Sequence, residues 1–345
     1  MSLIRRAAAA VLGPEVEAPV SLPADSVPAG VVLRRGRLIP WIGGLLANDL
    51  LGFQLDSHRS HFLRCAQALL SAEIDWEAGT ARLEGHTCHV RSFPISTDVD
   101  AFEKAALAST EGVERLRERY CPPGGQLGIG VDRMDYSKGL PEKLKALDFL
   151  FERYPEYRGK FTFVQVGVPS RTDIEAYDDL TRKVDGLVWE INDRYGTADW
   201  QPVHLIKQSL PAERLAALYR AADLCVVASL RDGMNLVAKE FVASQTDGRG
   251  VLLLSKFAGA SEELEDATEV NPYDPEDFSR LLRDALALPA EERAARMARM
   301  RGSLRTIFDW MSDIFAEWGG IQGGAALPSE LEEPLPEASA DDADR

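Results

Sequence analysis

Two short runs hold the residues best suited to chemistry. Positions 130–140 read Gly-Val-Asp-Arg-Met-Asp-Tyr-Ser-Lys-Gly-Leu, and positions 230–240 read Leu-Arg-Asp-Gly-Met-Asn-Leu-Val-Ala-Lys-Glu. In the first run, Arg133 offers a planar fork and Lys138 a point charge, a pair that suits a diphosphate. Without a metal, two cations also stabilise the charge that develops on a departing nucleoside diphosphate. In the second run, Gly233 is expected to make a tight turn with φ > 0. Met234, Asn235, Leu236 and Val237 then present unpaired N–H groups at a helix start, which favours an anion through hydrogen bonds and the helix dipole. Asp232 is placed to accept from sugar hydroxyls. Glu240 lies about two turns into that helix, too far to cap it, and suits a pair of ribose hydroxyls. Diphosphate, sugar and ribose are thus met separately, as a sugar nucleotide requires. Plainer readings exist for the same residues: Asp232 as an N-cap, Glu240 as a solvated acid, Arg133 in a surface ion pair with Asp132 or Asp135. The pattern is not a phosphate loop of the GxxxxGK[ST] type.

The elements around these runs alternate. After the break Pro122-Pro123-Gly124-Gly125, strands are expected over 127–131, 161–168, 203–206, 224–228, 251–254 and 268–270. Helices are expected over 141–153, 173–195, 212–222, 235–245, 260–264, 275–286 and 290–318. Such alternation implies βαβ units, a parallel sheet and right-handed crossovers. Continuous apolar strands such as Leu224-Cys225-Val226-Val227 imply helices on both faces. Both runs then sit at carboxyl ends of strands, where ligands bind in such sheets. Upstream, the pattern predicts a short strand at 50–53, a helix over 57–71 with Ser57 as N-cap, a hairpin of 80–83 and 86–93, and one helix over 101–120. The last helix carries Trp310, Met311, Phe315 and Trp318 as a stripe, read as core.

Composition narrows the classes. The chain has 345 residues and a net charge of -16, which opposes binding to nucleic acid or an anionic membrane. No window approaches the roughly 20 apolar residues of a membrane span. Cys65, Cys88, Cys121 and Cys225 have no zinc-like or CxxC spacing and are expected to be reduced. The five histidines do not form a metal set. Arg5-Arg6 before a short apolar stretch resembles an export signal only faintly, so a cytoplasmic location is expected. Residues 1–37 show no period and are expected to be irregular; the acidic, Pro-rich 324–345 are expected to be disordered.

The order and wording of the runs resemble the trehalose-6-phosphate synthase family, retaining glucosyltransferases of the GT-B fold. Gly130 to Leu140 and Arg231 to Glu240 carry the likeness, with Pro169-Ser170-Arg171, Phe257-Ala258-Gly259-Ala260 and Asn271-Pro272-Tyr273-Asp274. Leu50-Leu51-Gly52-Phe53-Gln54 and Phe93-Pro94-Ile95 are weaker markers. The resemblance implies an α/β, GT-B type fold whose Rossmann-like parallel sheet, with helices on both faces, spans 121–306. Before it, 38–120 would be a remnant of the N-terminal lobe; after it, 307–323 would be a crossover helix. It implies UDP-glucose as substrate, no cofactor and no metal. Arg133 and Lys138 would hold the diphosphate. Asp232 and the backbone of Gly233, Met234 and Asn235 would bind glucose, and Leu236 and Val237 would offer N–H groups to phosphate. Glu240 would bind ribose, and Arg171 and the backbone near Leu210 would line the nucleobase site. Transfer would retain configuration, the leaving phosphate assisting deprotonation of the acceptor, with no carboxylate nucleophile.

One departure stands beside this likeness. The family places a whole acceptor lobe before the position of Leu50, with a glycine-rich loop and a His-Asp-Tyr-His run. Here 49 residues precede Leu50 and the first histidine is His58. Chemistry needs an acceptor oriented against the donor, so turnover by this chain alone is not expected. Three readings follow: a synthase forming trehalose 6-phosphate from UDP-glucose and glucose 6-phosphate; a non-catalytic donor-binding or regulatory subunit; and a sister enzyme with glycerol 3-phosphate as acceptor. Candidate partners are the nucleotide sugar, a sugar phosphate, a second copy of the chain or a complete synthase.

Overall fold

The computed structural model describes residues 35–169 and 175–323. Arg171, residues 1–34 and the acidic stretch from 324 lie outside the described residues. Two compact units divide the chain.

The larger unit comprises Phe53–His58 and Ser92–Trp310. Its centre is a six-stranded parallel sheet: β5 (Gln126–Arg133), β6 (Phe161–Val168), β7 (Val203–Ile206), β8 (Leu224–Val227), β9 (Val251–Ser255) and β10 (Thr268–Val270). The spatial order is β10-β9-β8-β5-β6-β7. The chain therefore moves outward from β5 through β6 to β7, returns to the other side of β5 and continues outward through β9. The reversal falls between β5 and β8, which is where a doubly wound sheet opens a crevice at its strand ends. Both chemistry-bearing runs follow these two strands.

The helices are α3 (Val99–Ala108), α4 (Thr110–Tyr120), α5 (Leu140–Arg153), α6 (Glu175–Tyr195), α7 (Ala212–Ala221), α8 (Leu236–Ser244), α9 (Pro275–Ala287) and α10 (Ala290–Ser303). Their apolar faces build two cores. One joins Leu144, Leu147 and Phe151 of α5 to Phe161, Phe163, Val226 and Leu253. The other joins Ile129, Val131, Cys225 and Val227 to Leu218, Phe241 and Val242. Adjacent residues of one strand feed different cores, which is why these strands are apolar throughout.

The smaller unit holds α1 (Arg35–Leu46), most of α2 (Asp56–Leu70) and a four-stranded sheet of order β1-β4-β3-β2. Its strands are β1 (Leu50–Phe53), β2 (Glu73–Asp75), β3 (Thr80–Leu83) and β4 (His86–Ser92). β3 and β4 form the expected antiparallel hairpin. α1 was not expected, because Pro40 and the glycine pair at 43–44 interrupt its pattern; α2 starts at Asp56, so Ser57 is inside the helix and does not cap it.

Four expectations fail locally. The single helix over 101–120 breaks at Ser109, whose hydroxyl donates to the Ala105 carbonyl at 2.8 Å; serine competes for backbone partners in this way. The long helix over 290–318 ends at Ser303 and restarts as α11 (Ile307–Ile321). There the Thr306 hydroxyl accepts from Asp309 N–H at 3.1 Å while Asp309 accepts from Thr306 N–H at 2.7 Å, a reciprocal capping box. Residues 260–264 form only a short 3-10 turn (Gly259–Glu262). The stripe on α11 is also not core: Met311, Phe315 and Trp318 are 41%, 44% and 39% exposed, and only Trp310 is tied down, its indole donating to the Phe93 carbonyl at 3.0 Å. No helix among the described residues is long and apolar enough to cross a membrane.

Candidate active site

The site is assembled where the β5 and β8 loops meet. Leaving β5, the chain turns through a 3-10 segment (Tyr136–Lys138) into α5. Asp135 anchors that turn by accepting from Ser137 N–H at 2.9 Å and from its hydroxyl at 2.7 Å. Gly139 closes it at φ 64°, left-handed backbone that favours glycine. A side chain there would also collide with the Ala228 carbonyl. This close approach lets Ser137 O accept from Leu230 N–H at 2.7 Å. The two loops are thus joined through backbone.

Lys138 Nζ lies 2.5 Å from Asp232 Oδ2, the two side chains being only 15% and 16% exposed. The same Asp232 oxygen accepts from Asn235 Nδ2 at 3.0 Å and from the Ser229 hydroxyl at 3.3 Å. Ser229 is held in turn: its carbonyl accepts from the Ser255 hydroxyl at 2.7 Å. Asp232 is therefore a partly buried acceptor at the centre of a polar network, one donor of which is the candidate phosphate cation.

The start of α8 differs from expectation in two ways. Gly233 does not have positive φ; that conformation belongs to Asn235, at φ 85°. A side chain on Gly233 would meet nothing closer than Gln54 at 3.9 Å, so its neighbourhood is open. Nor is Asp232 the cap. Asn235 is, its Oδ1 accepting from Ala238 N–H at 3.1 Å. Asparagine tolerates positive φ better than most residues and is a preferred N-cap, so one residue serves both needs. With Ala238 N–H taken, the N–H groups of Leu236 and Val237 remain at the helix start for an anion. Met234 is buried in the core and Ala260 N–H donates to its carbonyl at 2.7 Å.

Further residues frame the crevice. Glu240 sits on α8 with Oε2 accepting from the Tyr219 hydroxyl at 3.0 Å. Burial pushes its carboxyl above the usual range, and the Tyr219 hydrogen bond opposes that shift. Leu210 is buried after β7. Arg133 ends β5 and is exposed. Neither acid proposed as its surface partner is idle: Asp135 holds its own turn, and Asp132 pairs with Lys143 at 2.6 Å inside the core. Lys143 also donates to Gln165 at 3.1 Å, whose amide donates to Asp132 at 3.1 Å. Gly130 makes room for this triad, since a Cβ would come within 2.6 Å of both Lys143 Nζ and Gln165 Oε1.

Sequence reasoning missed Tyr219, Ser229, Lys143 and Gln165. Only Lys143 left a trace, as a cation on the otherwise apolar inner face of α5. Among the described residues no group of three or more His, Cys, Asp or Glu is arranged to hold a metal.

Residues 37–318 match the profile of Glycosyltransferase family 20. The chain is 39% identical over 259 residues to the alpha,alpha-trehalose-phosphate synthase [UDP-forming] 56 kDa subunit of Kluyveromyces lactis, covering 74% of this chain and 52% of that protein. The Saccharomyces cerevisiae 56 kDa subunit is 40% identical over 248 residues, covering 71% and 49%. The chain thus spans about half the length of these relatives. Among solved structures, the Burkholderia xenovorans synthase in complex with glucose-6-phosphate superposes with TM-score 0.78 at 34% identity, covering 83% of this chain and 63% of that one. The E. coli protein bound with UDP-2-fluoro glucose gives 0.77 at 33%, covering 83% and 63%. The fold is of the GT-B type.

Proposed function

We propose that this chain, which belongs to glycosyltransferase family 20, carries the donor site of a trehalose-6-phosphate synthase: glucose passes from UDP-glucose to glucose 6-phosphate with retention of configuration, giving trehalose 6-phosphate. The observation that carries the reading is the meeting of Lys138 and Asp232 at the β5/β8 crevice. A cation suited to phosphate and an acceptor suited to sugar hydroxyls lie within one hydrogen bond of each other, which supports a site for the diphosphate and first sugar carbon of one donor.

On this reading Arg133 and Lys138 take the diphosphate, with the Leu236 and Val237 N–H groups completing its cradle. Asp232 exchanges its bond to Lys138 for sugar hydroxyls. Glu240 accepts from the ribose hydroxyls, and the backbone at Leu210 borders the base. As the bond from sugar to phosphate lengthens, charge grows on the β-phosphate, where the two cations and the helix start stabilise it. Cation and dipole fill the part a metal would otherwise take. The four free thiols and a nucleotide-sugar donor suit a cytoplasmic setting.

The test is calorimetry of the purified chain with UDP, followed by an assay for trehalose 6-phosphate from UDP-glucose and glucose 6-phosphate. UDP binding that falls at least about tenfold in Arg133→Ala and in Lys138→Ala supports the donor site. Binding unchanged in both variants overturns it.

A further inference from the structure

Glu240 does not stand alone. Its Oε2 accepts from the Tyr219 hydroxyl at 3.0 Å, and Tyr219 is completely buried. The tyrosine ring has no freedom to choose another partner. It packs edge-on against Phe241, with centroids 6.2 Å apart, and tilted against Phe102 at 6.4 Å. Its backbone carbonyl accepts from Gln245 on the far end of α8. Three fixed points therefore set where the hydroxyl lies, and the hydroxyl sets one oxygen of the carboxylate.

We infer that Tyr219 is a positioning residue for donor recognition: by holding Oε2 it presents Oε1 of Glu240 to the paired hydroxyls of the nucleotide's ribose. The inference rests on the reading of Glu240 as the ribose acceptor. A glutamate carboxylate free to turn about its three side-chain bonds would lose orientational freedom when it captures a diol. Here that ordering is already made by the fold, so ligand binding does not bear its cost. The bond also offsets the penalty of half-burying the charge, because a phenol donates to the ionised form. The hydroxyl touches no atom of the ligand on this assignment, and its influence passes entirely through Glu240.

The experiment compares UDP with 2′,3′-dideoxy-UDP as calorimetric probes of the full chain. In the wild type, UDP is expected to bind at least about tenfold more tightly than the dideoxy analogue, since a charged acceptor loses two donors. Equal binding of the two probes overturns the ribose reading and the inference with it. In Tyr219→Phe, UDP is expected to weaken about fivefold or more while dideoxy-UDP stays within twofold. In a Glu240→Ala background, adding Tyr219→Phe should change neither probe. A wild type that prefers UDP, together with a Tyr219→Phe variant that keeps the full preference, overturns the positioning role and leaves the ribose reading standing. Should the phenylalanine variant not fold, difluorotyrosine at 219 keeps ring and hydroxyl but donates more strongly. An altered UDP-to-dideoxy ratio then supports the inference, and an unaltered ratio overturns it.

Discussion

Lys138 and Asp232, 94 residues apart in the chain, form an ion pair at 2.5 Å across the crevice between β5 and β8. On the proposed reading the pair couples two halves of donor recognition, because the lysine and a sugar hydroxyl compete for the same aspartate oxygen. Asp232→Asn should therefore affect UDP-glucose and UDP differently. The asparagine weakens acceptance from glucose hydroxyls but frees Lys138 for phosphate. UDP binding is expected to hold or tighten, while the preference for UDP-glucose over UDP shrinks. Calorimetry with both nucleotides measures the ratio; equal weakening of both would show that Asp232 serves only to hold the loop.

The buried pair Lys143–Asp132 sets the other end of the same loop. Its side chains are 1% and 2% exposed, and the ions are 2.6 Å apart. Removing one partner strands a buried charge. Lys143→Met is expected to cost about 3–5 kcal/mol of stability. Replacing both, as Asp132→Leu with Lys143→Met, should recover much of that loss, because an apolar pair of similar volume avoids desolvation. Urea unfolding of the two variants tests this, and a double variant no more stable than the single one would contradict it.

Asn235 combines an N-cap with φ 85°. Loss of the cap alone costs about 1 kcal/mol, and glycine in its place costs only a few tenths. Asn235→Ala loses the cap and also forces an alanine into positive φ, so it should destabilise more than Asn235→Gly. Thermal unfolding gives the order directly. Asn235→Asp keeps the cap but adds a negative charge beside Asp232, so it should lower affinity for UDP.

Gly139 at φ 64° faces the Ala228 carbonyl. Gly139→Ala adds backbone strain of about 1–3 kcal/mol before the collision is counted. A lower melting temperature and weaker UDP binding are expected together, since both loops move. A variant with unchanged melting would mean that the close approach relaxes freely.

Burial raises the Glu240 carboxyl and the Tyr219 hydrogen bond lowers it. The sign follows: in the window above the ordinary glutamate value and below the raised one, the folded chain binds a proton that the unfolded chain does not. Acidification through that window therefore adds stability, since the cost of the buried charge disappears. Affinity moves the opposite way. A protonated Glu240 is a poorer acceptor, so UDP binding should decline at a pH above the ordinary glutamate range of about 4.3. In Tyr219→Phe the decline should begin at still higher pH, and in Glu240→Gln it should be absent. UDP titrations across pH 4–8 supply the profiles.

The alternation of apolar runs with amphipathic ones was enough to place nearly every strand and helix of the larger unit, because local burial imprints a local period. The motif wording likewise named Arg133, Lys138, Asp232 and Glu240 as candidates. Breaks hidden in polar caps were harder: Ser109 and the Thr306–Asp309 box split helices whose apolar stripes run on without interruption. Other features belonged to tertiary structure alone. That β5 lies beside β8 follows from how crossovers pack, and only that neighbourhood brings Lys138 to Asp232. Tyr219 meets Glu240 because two helices share one core, and Asn235 rather than Gly233 takes the strained turn because the polar network holds it there. Composition and spacing record what each segment buries. Which groups finally touch is decided by the packing of segments far apart in the chain, a long-range outcome that no local period encodes.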